Sequence, residues 1–306
     1  MEKKMYVYAS FMAAFSSLVI FSSFHDTTLH EDAVIHKDSN SYTQRITAFD
    51  LNSTFSFADE AIPADNFDAI ERLDRELLIN TYQHATTLLN IKTANRYFPV
   101  IEPILKKYGI PDDFKYLSVA ESNLRMATSS AGAKGIWQFI ESVGSSYGLE
   151  INADVDERFH VEKSTEAACK FILYLKNRFG SWTMAAAAYN MGESAIAKRM
   201  TEQKAGNYYD LNLVEETSRY VFRIIAIKEI MKQPEKYGFF VEDQQLYAPF
   251  HNYSTLIVTE PIPDLGSLAE RYGTSYRMLK VFNPWLISTS LPNRNGKKYE
   301  IRIPNK

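Results

Sequence analysis

Apolar positions recur at helical spacing over most of the chain. Phe67, Ile70, Leu73, Leu77 and Leu78 form one stripe, Ile101, Ile104 and Leu105 a second, and Val221, Phe222, Ile224, Ile225 and Ile227 a third. Side chains three and four residues apart share one face of a helix, so each stripe predicts an amphipathic helix with a buried side. The pattern runs from Asp65 to about Tyr237. Pro and Gly punctuate it at intervals that suit short loops, as at Gly109-Ile110-Pro111 and Phe179-Gly180-Ser181. These features predict a mainly α fold with one helical domain over residues 57–238.

The period changes after Gly238. A connector, 239–252, leads into the β-branched run Thr255-Leu256-Ile257-Val258. Two short helical segments come next, Leu265 to Tyr272 and Tyr276 to Phe282, stopped by Gly273 and by Asn283-Pro284. Lys298 to Ile303 then alternates with period two and reads as a strand. Residues 253–306 therefore predict a βααβ module.

The opposite end carries no sustained periodicity from 25 to 56 and is rich in Ser, Thr, Asn and Asp, which predicts a flexible linker. Ahead of it, Lys3 and Lys4 precede an uncharged, mostly apolar run from Met5 to Phe24. Residues 1–24 thus predict an export signal peptide or a retained membrane anchor. Their run holds no cysteine for a lipid anchor.

Composition narrows the function classes. A net charge of −3 over 306 residues lacks the basic excess of a nucleic-acid binder, so no nucleic-acid partner is expected. The single cysteine, Cys169, rules out an internal disulfide and sits in a helical pattern that suits a buried thiol. No group of His, Cys and carboxylate residues has metal-ligand spacing, and no cofactor is expected. Tyr and Phe, 19 of each, fill cores and also suit stacking against sugar rings.

One carboxylate is unusually placed. Pro111 opens a helical segment in which Phe114 and Leu117 define an apolar stripe, and Glu121 is its next member. A carboxyl at the end of such a stripe is either desolvated, hence protonated near neutral pH and fit for general acid work, or simply reaches solvent. The segments downstream of Glu121 bear on the choice. Thr128 to Phe139, with Gly132 and Gly135, reads as a tight loop where backbone approaches a ligand. Trp137 and Gln138 are expected to start the next helix and to offer a stacking face and an amide. Asp156, Glu157 and Arg158 suit a structural salt-bridge and capping cluster.

Trp182 leads into four alanines, Ala185 to Ala188, which permit close helix packing ahead of Tyr189-Asn190-Met191-Gly192. Further on, Glu216 and Tyr220 share a helix face. Singly, each has a plainer reading: Trp137 and Trp182 as core residues, Asn190 as a helix C-cap, Glu216 as half of a surface ion pair with Arg219 or Arg223.

In combination, Glu121-Ser122, Gly135-Ile136-Trp137-Gln138, Ala188-Tyr189-Asn190 and Glu216-Thr217-Ser218-Arg219-Tyr220-Val221 stand in one order. That order resembles the lytic transglycosylases of the goose-type lysozyme superfamily. Val155-Asp156-Glu157-Arg158 with Lys163-Ser164-Thr165 looks most like the membrane-bound lytic murein transglycosylase D branch. Two segments depart from the pattern. Arg125 and Met126 stand where many members carry a proline, and Ile140-Glu141-Ser142-Val143 replaces a Met-Pro-x-Thr element. The C-terminal module resembles LysM domains through Gly273-Thr274-Ser275-Tyr276, Asn283-Pro284-Trp285 and the closing strand.

The resemblance implies a lysozyme-like helical domain acting on peptidoglycan glycan strands, followed by a glycan-binding LysM-like module. As a tether to the wall, that module would leave cleavage of short soluble glycans nearly unaffected. The resemblance implies one essential carboxylate, Glu121, as acid and then base. Cleavage between N-acetylmuramic acid and N-acetylglucosamine would leave a 1,6-anhydromuramoyl end. Ser129, Gln138, Tyr189, Asn190 and Tyr220 would orient sugar and acid, and Glu216 would support the helix that bears Tyr220. With the N-terminal segment, this places the protein in the periplasm or cell envelope, attached to the membrane through that segment if it is retained. Two alternatives stay open: a hydrolytic lysozyme on the same fold, and a non-catalytic peptidoglycan-binding protein.

Overall fold

A computed structural model describes residues 47–305. The expected signal or anchor, 1–24, and most of the expected linker lie outside the described residues. The linker's last part does not behave as one. Phe49 and Leu51 pack against the helical core and Phe55 is buried in it, because three large apolar side chains this close to the domain gain more from burial than from solvent. The strands β1 (Ser56–Phe57) and β2 (Glu60–Ala61) then pair as a short antiparallel hairpin.

Ten α-helices come after it among the described residues. The first is α1 (Phe67–Tyr82), capped by the Asn66 side chain, which accepts from the Ala69 amide. Its apolar stripe buries Leu73 and Leu77, while Phe67, at the solvent end of the first turn, stays exposed. Next come α2 (His84–Lys107), α3 (Lys115–Ser122), α4 (Glu141–Ser146) and α5 (Val161–Phe179). The helical domain closes with α6 (Trp182–Met191), α7 (Glu193–Gln203) and α8 (Glu215–Lys232).

Helix α6 is the centre of the domain. Its residues Ala185 to Ala188 are fully buried, and their small side chains let α5, α7 and α8 approach its backbone. The Glu60 carboxylate accepts from the Trp182 and Thr183 amides at 2.6 and 2.8 Å and so caps α6 from the hairpin. Helix α8 packs against α1, α3 and α6. Its contact with α1 includes the fully buried Glu76, held by Arg219 at 2.5 Å and Arg223 at 3.7 Å. Removing either partner of such a pair would leave a buried charge uncompensated.

The C-terminal module has the expected order: β3 (Tyr253–Val258), α9 (Leu265–Arg271), α10 (Tyr276–Phe282) and β4 (Tyr299–Pro304). The strands pair antiparallel with Tyr253 opposite Pro304 and Val258 opposite Tyr299. Buried Asn283 ties α10 to β4: its amide donates to the Leu279 and Arg302 carbonyls, and its oxygen accepts from the Arg302 amide at 2.8 Å. The connector runs along α2, where the Tyr247 amide donates to the Lys92 carbonyl and Arg96 Nε to the Ala248 carbonyl at 3.0 Å. Both parts belong to one compact unit, Ala48 to Lys306. Among the described residues, no helix is long and apolar enough to cross a membrane.

Candidate active site

Glu121 lies in the last turn of α3, which stops because Asn123 and Leu124 both take left-handed backbone angles, φ 53° and 56°. The next residue, Ser122, is buried, and its hydroxyl lies 3.0 Å from the Ile136 carbonyl and donates to it. This ties the end of α3 to the loop 128–139. The Glu-Ser pairing thus has a physical reason: the first residue faces the cleft while the second fixes the facing loop.

That loop closes on itself. The Ser129 amide donates to the Ala133 carbonyl at 2.8 Å, and the Ala133 amide donates back to Ser129 Oγ at 3.0 Å. Gly135 has φ 77°, and a Cβ there would stand 1.9 Å from the Arg158 carbonyl oxygen, so only glycine fits. Gln138 is also left-handed, at φ 50°. Its amide nitrogen donates to the Gly135 carbonyl at 2.8 Å and more weakly to that of Ala127, leaving its carbonyl oxygen as the group for a ligand.

The expectation for Trp137 is corrected. The segment at 136–138 is a turn, with α4 beginning only at Glu141, and Trp137 is fully buried. Its indole nitrogen donates to Thr165 Oγ1 at 2.9 Å, and its carbonyl accepts from the Tyr189 hydroxyl at 2.7 Å. It anchors the loop and presents no stacking face. Trp182 packs edge-on against Phe114, at 5.4 Å between centroids, and is not among the residues lining the cleft.

The cleft has a volume of about 560 Å³ and is walled by Phe139, Ile140, Val143, Phe171 and Met191. Glu121, Ser129, Gln138, Tyr189, Asn190 and Glu216 all line it. Tyr220 is buried and donates a hydrogen bond to Glu121 Oε1. Asn190 is not the C-cap of α6; that place falls to Gly192, at φ 88°. The Asn190 oxygen instead accepts from Thr217 Oγ1 at 2.8 Å, which fixes the amide in the cleft wall. Nothing in the sequence around Thr217 signals that role, because its partner stands on another helix. Glu216 is solvent-exposed in the cleft wall, and the ion pairs of this helix face run through Arg219 to Glu76 and Glu215. Its charge also acts on Glu121 electrostatically.

Burial pushes the Glu121 carboxyl up to about 7, against the opposing pull of the Tyr220 hydrogen bond. The Glu216 charge raises it further, and Arg223 lowers it. Burial also keeps Tyr189 and Tyr220 protonated far above the usual tyrosine range. With Tyr220 donating to Oε1, the carboxyl proton belongs on Oε2. The arrangement is a carboxyl that still carries its proton in a large share of molecules near neutral pH, oriented by a permanent donor, inside a groove of polar and aromatic side chains.

Residues 99–212 match the family model of the transglycosylase SLT domain. The matched stretch holds Glu121, Ser129, Gln138, Tyr189 and Asn190, while Glu216 and Tyr220 come shortly after it. Residues 254–306 match the soluble lytic transglycosylase C-terminal LysM-like domain. The chain is 31% identical over 245 residues to membrane-bound lytic murein transglycosylase D of Escherichia coli strain K12, covering 77% of this chain and 51% of that protein. The same figures hold for the protein of that description from Escherichia coli O6:H1. The chain thus spans about half the length of these curated relatives. An X-ray structure of an inactive mutant of the lytic transglycosylase Slt from Pseudomonas aeruginosa aligns with TM-score 0.39 and 16% identity. It covers 51% of this chain and 27% of that one, a likeness too slight to carry weight.

Proposed function

We propose that the protein is a peptidoglycan lytic transglycosylase of the cell envelope, cleaving the β-1,4 bond between N-acetylmuramic acid and N-acetylglucosamine. One observation carries this reading: a carboxyl held near pKa 7 by burial, bonded to Tyr220, in the cleft that the SLT domain builds. Glu121 Oε2 gives its proton to the glycosidic oxygen as the C1–O bond breaks. The resulting carboxylate, still bonded to Tyr220, takes the proton of the muramoyl C6 hydroxyl as that oxygen closes onto C1. The proton is returned, no water is consumed, and a 1,6-anhydromuramoyl end forms.

Ser129, the Gln138 carbonyl oxygen and the Asn190 amide, all lining the cleft, would orient the sugars. Tyr189, anchored on the Trp137 carbonyl, offers the edge of the cleft. The LysM-like module supports a second contact with glycan, and the apolar run 5–24 supports export with attachment to the membrane. Mass analysis of products from digested peptidoglycan tests the reading. Anhydromuropeptides, one water lighter than reducing ends, are expected without added metal. Reducing muramic ends alone would make the protein a lysozyme, and no cleavage at all a glycan-binding protein.

A further inference from the structure

The C-terminal module does not hang from the SLT domain. Val155, from the segment between α4 and α5, is buried in the module's core with Trp285, Leu286, Leu291 and Tyr299. The backbones join as well: Val155 forms a β-bridge with Leu286, the Asp156 amide donates to the Trp285 carbonyl, and the Ile287 amide donates to the Asp154 carbonyl, both at 2.9 Å. Side chains close the seam. Tyr299 donates to Glu150 at 2.8 Å, Lys297 pairs with Glu150, and Arg302 pairs with Glu162.

The reverse side of the same segment holds the cleft loop. Buried Asp156 accepts from Lys134 Nζ at 3.0 Å and from Arg158 at 2.7 and 2.8 Å. Arg158 in turn donates to the Gly132 and Phe139 carbonyls, and its own carbonyl sits where a side chain on Gly135 would have to be. Loop 128–139, which carries Ser129 and Gln138, therefore rests on a segment whose far face is finished by the module.

We propose that the module is a brace for the substrate loop, with Val155 and Asp156 as positioning residues between them. Its consequence for glycan binding rests on the proposed function of the cleft; the mechanical coupling does not. Removing the module would strip the cover from Val155, leave the Asp154 carbonyl and the Asp156 amide without their partners and loosen the loop, so the module contributes even to cleavage of short soluble glycans that it never touches. A detachable tether, by contrast, would have no effect on such substrates.

The test places a protease site at the exposed Gln244-Gln245 of the connector in the full chain, with and without Glu150→Gln, Tyr299→Phe and Arg302→Gln together. Nicking alone is expected to leave the module bound through gel filtration. Nicking of the substituted protein is expected to release it. Amides 128–139 should then exchange with deuterium about tenfold faster. KM for soluble glycan should rise by a similar factor, with the pH midpoint of kcat unmoved. Release by nicking alone, or unchanged exchange after release, overturns the brace. If the intact protein makes no anhydro product, the functional reading falls while the exchange measurement still decides the coupling.

Discussion

The Tyr220 hydroxyl donates its proton to Glu121 Oε1 from a fully buried position on α8. The two residues lie far apart in sequence and meet because α3 and α8 pack against each other. The bond has opposite consequences in the two halves of the proposed reaction. It favours the carboxylate left after proton donation, and it works against the burial that keeps the acid protonated beforehand. A carboxyl near pKa 7 is the compromise that serves both, since in the proposed reaction one group gives and retrieves a proton at the same pH.

Substituting Glu121→Gln keeps the shape and removes the proton. Acid–base catalysis is worth roughly 100- to 10,000-fold, so the rate of anhydromuropeptide release should fall by at least about 100-fold while sacculus binding persists. Retention of more than about a tenth of wild-type rate would move the role to another carboxylate, with Glu216 in the cleft wall first in line.

The same substitution has a signed effect on stability. A carboxyl raised in the folded state binds more protons there than in the unfolded chain over the interval between the two pKa values, so stability falls as pH rises through that window. For Glu121 the window is 4.5 to about 7. Wild type should lose on the order of 3 kcal/mol relative to Glu121→Gln across it. Paired chemical denaturation curves at pH 4, 5.5 and 7.5 check this, and parallel behaviour of the two proteins would mean that the carboxyl titrates normally.

Replacing Tyr220→Phe removes a donor that favours the charged carboxylate. The Glu121 pKa should therefore rise, carrying the descending limb of the kcat/KM profile to higher pH, even as the maximal rate drops because the carboxylate formed in the first step is less stabilised. A lower rate with an unmoved limb would make Tyr220 a packing residue only.

The helical framework is legible in the sequence because burial is written as a period: Leu73, Leu77, Ile101, Leu105 and the α8 stripe are where the 3.6-residue pattern places them. Glu121 is legible for the same reason, as a carboxyl at the end of an apolar series. Trp137 is not, because the neighbouring glycines and an apolar run fit a helix start as well as a turn. What decides is Thr165, on α5, which supplies the indole's partner. Asn190 stays open between cap and cleft in the sequence because the deciding atom, Thr217 Oγ1, comes from another helix. The docking of Val155 into the C-terminal core leaves no periodic trace, since a single apolar residue beside Asp156-Glu157-Arg158 carries no pattern.

Gly135 gives the sharpest structural test. Its φ of 77° already strains any L-residue, and a methyl group would overlap the Arg158 carbonyl, a backbone atom fixed by Asp156 and the module beyond it. Gly135→Ala must therefore displace either the cleft loop or the 156–158 segment. A cost of about 3 kcal/mol or more is expected, since backbone strain and a clash without a flexible partner add. Gly132 is the control. It too has positive φ, 77°, but open space where the side chain would go, so Gly132→Ala should cost only about 1 kcal/mol. Thermal melts of the two variants rank them directly. Equal melting points would mean that the loop yields freely, and Ser129 and Gln138 would then not be held in fixed places along the cleft.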